Sequence, residues 1–279
     1  MASMRDIKQR IENVTSTTQI IKAMDSIASS KLQRARAQLD NVKPIYNGLN
    51  KTIAKISSHQ EVETHPYYKN KENGSSLYIV LTSNQGFAGG YNIGVLKKAL
   101  AHMEGKDERI IVIGKKGGSF FSRHNKNIIR ILDDIADANV YFAAENISLT
   151  VNRYYLEEEY KEVFIAKTEF ENILSSKPKI IQLLPLQYIE PDIKQERIYS
   201  PNLHTVLDNV IPLFLHMSLF EAFADSHTSE QATRMVTMDE AGKNAEELIE
   251  ELSKQYNRER QAQITQELNE ISSGITSHI

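Results

Sequence analysis

The sequence predicts an α/β chain in which a long antiparallel two-helix coiled coil, formed by the N- and C-terminal helices, carries a central α/β domain. Three observations predict it. Apolar residues recur with 3,4 spacing through the first 56 residues, short β-rich runs alternate with helix-compatible segments in the middle, and the 3,4 spacing returns after residue 202. The expected division is a coiled-coil helix over 1–57, a linker over 58–75, the α/β domain over 76–201 and a second coiled-coil helix over 202–279.

The first helix rests on two heptad positions. One holds Met4, Ile11, Thr18, Asp25, Leu32, Leu39, Tyr46 and Ile53; the other holds Ile7, Val14, Ile21, Ala28, Ala35, Val42, Leu49 and Ile56. Only Thr18 and Asp25 are polar, so a seam runs the whole length. Such a helix is roughly 80 Å long, and Pro44 removes one backbone donor and should bend it. The stretch "SSHQEVETHPYYKNKENGSS" is polar, carries Pro66 and Gly74, and reads as a linker.

Five β-rich runs follow: Leu77–Ser83, Arg109–Gly114, Ile128–Leu132, Glu162–Phe170 and Lys179–Leu186. Helix-compatible segments lie between the first three and around Ala138–Tyr155, which implies a mostly parallel, helix-covered sheet of the Rossmann-like kind. "YIEPDIKQERIYSP" closes that domain. In the last helix Met235, Met238, Gly242, Ala245, Ile249, Leu252 and Tyr256 step 3,4. Arg260, Ile264 and Leu268 then step by four, a stutter that relaxes the supercoil, before Ile271 and Ile275.

Because the α/β domain lies between the two helices, they can pair only antiparallel. Their charges agree: residues 1–60 hold ten Lys/Arg against four Asp/Glu, and residues 225–275 hold five against eleven. Opposite fields favour mutual pairing, although exposed pairs are individually weak. The second helix is the longer by roughly 20 residues at the usual rise, so its polar end is the part expected to project.

Composition excludes several classes. A net charge of -3 argues against wholesale nucleic-acid binding, and the absence of cysteine removes disulfides, thiolate catalysis and cysteine-ligated zinc, which fits a reducing cytoplasm. "MASMRDIKQRIENV" has neither a signal-peptide apolar run nor transit-peptide character. The greasiest window, "VIPLFLHMSLFEAF", is interrupted by His216 and Glu221, so direct membrane insertion is not expected.

No stretch carries recognisable chemistry. "TSNQGFAGGYN" (82–92) lies where Rossmann-like proteins cradle phosphate, but it is not G-x-G-x-x-G and no P-loop lysine follows; a tight turn and close backbone packing are the preferred reading. "GKKGG" (114–118) is read the same way. The eight histidines show no metal-ligand spacing, and "EELIEEL" (246–252) is the wet face of a helix. No catalytic residue, metal or cofactor is expected. The basic stretch "KLQRARAQL" (31–39) together with Lys22 is either a solvated face or a docking stripe for acidic partner loops.

Three segments carry a family resemblance: "IIKAMDSIASSKLQRA" (20–35), "LTSNQGFAGGYN" (81–92), and "RMVTMDEAGKNAEELI" (234–249) followed by "YNRERQAQITQELNEISSG" (256–274). The chain resembles the gamma subunit of F-type ATP synthases, along its whole length. That resemblance implies a non-catalytic rotor of the central stalk. Its coiled coil would turn inside a hexamer of alpha and beta subunits, with catalytic sites on beta and the α/β domain seated with epsilon on the membrane c-ring. It further implies a peripheral location at the cytoplasmic face of a bacterial cell membrane.

Matched position by position, the resemblance implies rotor–stator contacts at Met24, Arg234, Arg260, Gln261, Thr265, Glu267 and Glu270. Lys22, Lys31, Arg34 and Arg36 would face acidic loops of beta. The turn departs from the family in having Asn84 where acidic residues are usual and Ala88 where cysteine is common, and its geometry is expected to need neither. The chloroplast regulatory cysteines are missing, and "ITSHI" (275–279) replaces a short alanine-rich end. The rival readings are an α/β nucleotide-binding enzyme with a coiled-coil dimerisation arm and a generic coiled-coil scaffold.

Overall fold

The computed structural model describes residues 4–133, 135, 139–190 and 199–276, with the side chains of Gln60 and of 270–276 outside that description. The end of "ITSHI", all of "PDIKQERI" and the side chains of Glu270, Ile271 and Ile275 therefore lie outside the described residues. Two helices frame the chain: α1 (Met4–Ile56), with Pro44 inside it, and α5 (Leu203–Thr276), with Pro212 inside it. By contacts the chain forms two units, one of residues 1–28 with 235–279 and one of residues 29–234.

In the first unit the heptad reading sets which side chains are covered. Ile7, Thr18 and Ala28 of α1 are buried, as are Met238 and Leu252 of α5. Thr18 is tolerated in the seam because its hydroxyl donates to the Val14 carbonyl at 2.8 Å. Asp25 has no such solution: its Oδ1 is buried with no partner. Gly242 faces Ile21, and a Cβ there would stand 3.8 Å from Ile21 Cγ2, an ordinary contact, so the seam has room for a small side chain at this position. Beyond this seam α5 is exposed at every described side chain from Arg260 to Asn269, including Ile264 at 48% and Leu268 at 61%.

In the second unit five strands form one sheet: β1 (Ser75–Leu81), β2 (Glu108–Ile113), β3 (Ile128–Leu132), β4 (Tyr160–Asn172) and β5 (Ser175–Leu184), in the order β3-β2-β1-β4-β5. Four are parallel, and β5 returns antiparallel to β4. The crossovers are α2 (Tyr91–His102), α3 (Lys115–Arg123) and α4 (Val140–Leu156). Strand β1 shows the period-2 logic of a sheet covered on both faces. Leu77, Ile79 and Leu81 face a core shared with α4, the end of α1 and the start of α5; Tyr78 and Val80 face a second core with Val95, Ala99 and Phe121.

The α1 seam continues here as Leu32, Ala35, Leu39 and Val42, and Tyr46 stacks on Phe214 with ring centroids 6.4 Å apart. Within this unit α1 and α5 run antiparallel, since Tyr46 meets Phe214 while Lys31 lines one cleft with Arg234. Residues 58–74, polar on average, nevertheless insert Val62, Tyr67 and Tyr68 into the core. An 18-residue window of α5 does reach the composition of a membrane span, with mean hydropathy 1.3, which the sequence reading did not anticipate. It is 61% buried in this fold, as a core helix requires.

One buried ionic cluster gave no signal in the sequence. Lys167 Nζ of β4 lies 2.6 Å from Glu221 Oε2 and 2.7 Å from Asp225 Oδ2 of α5, all three side chains being at most 5% exposed. Asp225 Oδ1 also accepts the Phe170 N–H at 2.9 Å, and Ser229 Oγ donates to the Thr168 carbonyl at 3.1 Å. Burial opposes charge on Lys167, but the two carboxylates and their hydrogen bonds outweigh it and raise its pKa. Burial raises the Glu221 carboxyl, with Lys167 only partly offsetting it. We take Lys167 as the charged centre that holds α5 to the sheet.

Candidate functional site

The loop after β1 is built by Thr82, Ser83 and Asn84. The Thr82 hydroxyl donates to the Ile113 carbonyl at 2.6 Å and accepts the Gly117 N–H at 3.0 Å. The Ser83 carbonyl accepts the Lys116 N–H at 3.1 Å, and Asn84 Oδ1 accepts the Lys115 N–H at 3.0 Å. The N–H groups of Lys115, Lys116 and Gly117 at the start of α3 are thus taken by the chain's own loop and are not free for an anion.

The glycines of 114–118 explain the rest. A Cβ on Gly114, whose φ is +94°, would fall 2.3 Å from the Thr82 carbonyl oxygen, and one on Gly117 would fall 2.6 Å from Val112 Cγ1. They serve close backbone approach. Asn84 requires a correction: its Nδ2 also donates to the Asp133 carbonyl at 2.7 Å, so the amide bridges two neighbours. A carboxylate could accept from Lys115 but could not donate to Asp133. The turn therefore does use Asn84. At its tip Phe87 is 69% exposed with φ +58°, an aromatic held outward at a conformational cost. Only its position between glycines hinted at it.

Arg234 comes from α5 to the same turn. It is 6% exposed, ion-pairs with Glu230 at 2.7 Å and donates to the Gly86 carbonyl at 3.4 Å. Its Nε is buried without a partner. Beneath it Tyr91 is fully buried, and burial, reinforced by Glu230, pushes its phenol pKa up. A cleft of about 470 Å³ opens here at the C-terminal ends of β1, β2 and β3, bounded by Lys31, Asn84, Gly114, Phe223 and Arg234.

The remaining candidate residues separate into distinct surfaces. Lys31, Arg34 and Arg36 are exposed on α1. Lys22 is exposed but ion-paired to Glu246 at 2.7 Å, so part of the basic stripe is answered within the chain. Met24 is half-buried. Arg260, Gln261, Thr265 and Glu267 are exposed near the C-terminal end of α5, where Thr265 Oγ1 donates to the Gln261 carbonyl at 2.9 Å and Gln263 Nε2 to Glu267 at 3.0 Å. The Glu270 side chain lies outside the described residues. Among the described residues no cluster of His, Asp and Glu could hold a metal ion.

A family model described as ATP synthase matches residues 3–277. The chain belongs to the ATP synthase gamma family. It is 36% identical over 280 residues to the ATP synthase gamma chain of Alkaliphilus metalliredigens, covering 97% of each chain. It is 37% identical over 281 residues to that of Ruminococcus albus, covering 98% of each.

Among solved structures, the fold is similar to a chain of the Euglena gracilis mitochondrial ATP synthase OSCP/F1/c-ring in rotational state 3. The TM-score is 0.71 at 18% identity, over 98% of this chain and 94% of that one. A chain of the Tetrahymena thermophila mitochondrial central stalk and c-ring matches with TM-score 0.60 at 23% identity, over 80% and 99%. ATP synthase gamma is a non-catalytic subunit of the central stalk.

Proposed function

We propose that this gamma chain is the rotating shaft that couples ion flow through a membrane sector to ATP synthesis or hydrolysis. In this reading the paired helices turn inside a hexamer of alpha and beta subunits, and the catalytic sites are on beta. The α/β domain, residues 76–201, sits with epsilon on the c-ring, and the assembly is peripheral to the cytoplasmic face of a bacterial cell membrane. The observation that carries the proposal is the bare end of α5: every described side chain from Arg260 to Asn269 is exposed, immediately after a packed seam. A helix anchored there by a wide apolar face would resist turning, whereas a polar surface with only Ile264 and Leu268 offers low adhesion.

The contact set of this reading is Met24, Arg234, Arg260, Gln261, Thr265, Glu267 and Glu270, with Lys31, Arg34, Arg36 and Lys22 toward acidic loops of beta. Phe87, outward at its turn, joins it. Rotation of an asymmetric shaft then biases each catalytic site among its states by differential contact. The test is co-purification of the tagged chain with alpha, beta and epsilon, together with ATPase assays. The reading expects a stoichiometric complex that hydrolyses ATP and an isolated chain that does not. Hydrolysis by the isolated chain would contradict it.

A further inference from the structure

The cleft beside Arg234 has features that a shaft does not need. It lies at the C-terminal ends of parallel strands, where open α/β sheets take their ligands, and its volume of about 470 Å³ falls among small-molecule sites. Two cations, Lys31 and Arg234, face it against one carboxylate, Glu230. The Arg234 guanidinium is committed to Glu230 and Gly86 through one nitrogen, while its buried Nε–H has no acceptor. A buried donor in that state calls for an oxygen. The lining also includes the apolar side chains Leu81, Ile113, Val140 and Phe223.

We infer that this cleft binds an organic phosphate of mononucleotide size, its phosphate between Arg234 and Lys31 and its flat apolar part against Phe223 and Ile113. The apolar lining favours an organic anion over a bare inorganic one, and over an acidic side chain, which brings no apolar surface of comparable area. The donors at the start of α3 are already used, so the phosphate is held by side chains and not by a glycine loop. A ligand so placed ties the 84–90 turn to α5 through Arg234, whose hydrogen bond to the Gly86 carbonyl, at 3.4 Å, is long by itself. The inference goes beyond the shaft reading and stands or falls separately from it.

The experiment uses the full-length chain. AMP and inorganic phosphate are titrated by equilibrium dialysis, and hydrogen–deuterium exchange is followed with and without AMP. The expected result is saturable one-to-one AMP binding, at least about tenfold tighter than phosphate, with protection confined to residues 82–90 and 226–234. Arg234→Lys, which keeps the charge but loses the Nε edge, weakens AMP by about tenfold or more. The exchange measurement on the unmodified chain stands even if that variant folds poorly. No saturable AMP binding up to about 10 mM, or protection elsewhere in the chain, overturns the inference. So does protection of the same segments by an acidic peptide and not by AMP, which would give the cleft to a protein partner.

Discussion

Replacing Lys167 by Met removes the cation from the cluster while nearly preserving volume, so the cavity term is small and the electrostatic one is isolated. At 2.6 and 2.7 Å the two attractions are each worth about 6 kcal/mol gross at an effective dielectric constant of 20. Most of that is offset by the cost of burying the ions, and breaking such a cluster typically costs about 3–5 kcal/mol. Protonation caps the damage: forcing one carboxyl of ordinary Glu pKa to stay neutral at pH 7 costs about 3.7 kcal/mol. Urea unfolding at pH 7, followed by circular dichroism, should show the variant less stable by that amount.

The same reasoning fixes a pH signature. Without Lys167 the folded-state pKa of Glu221, already raised by burial, rises further above its unfolded value. The stability of the protonated form is then present at low pH and lost as pH rises through the folded value. The deficit relative to wild type should shrink by about 2–3 kcal/mol between pH 7 and pH 5. A deficit below about 1 kcal/mol at pH 7, or one that does not change with pH, would refute the argument.

Other outcomes follow from the same structure. His65 is buried, its Nε2 lies 3.2 Å from Asp208, His204 packs beside it, and its Nδ1 accepts the Tyr67 N–H at 3.5 Å. Burial lowers its pKa, Asp208 only partly offsetting this, so its share of stability is present above the unfolded value of 6.5 and lost as pH falls through the folded one; His65→Gln should flatten that acid slope in unfolding titrations. Gly114→Ala should cost about 3 kcal/mol or more in Urea unfolding, because φ is positive and the methyl meets the Thr82 carbonyl. Gly48→Ala, in open space within α1, should instead stabilise by about 0.5–1 kcal/mol. Arg260→Ala with Gln261→Ala should impair coupled ATPase activity in the complex while leaving the far-UV spectrum of the isolated chain unchanged; a large loss of helicity would make those residues structural.

Periodicity made the helices and the sheet legible in the sequence, because both kinds of element repeat a local rule. The seam from Met4 to Ile56 and the alternation of Leu77, Tyr78, Ile79 and Val80 appear where a 3,4 or a period-2 pattern places them. The Lys167 cluster was not legible, since its members are 54 and 58 residues apart and each alone reads as a surface charge. Nor was the insertion of Val62, Tyr67 and Tyr68: three apolar residues in a polar stretch carry no period. The role of Asn84 depended on which carbonyl stood opposite its amide, a fact of tertiary geometry. The burial of Arg234 against Glu230 and Gly86 was not legible either, because no local pattern marks which charge of a helix will be covered.

The central claim, that this chain turns within its complex, is tested most directly by single-molecule rotation. The alpha–beta hexamer is fixed to a surface and a bead is attached to an exposed residue of the α/β domain. The account predicts unidirectional, ATP-dependent rotation that stalls when the tip of α5 is cross-linked to the hexamer. Full ATP hydrolysis with a stationary bead, or hydrolysis undiminished by that cross-link, would contradict it.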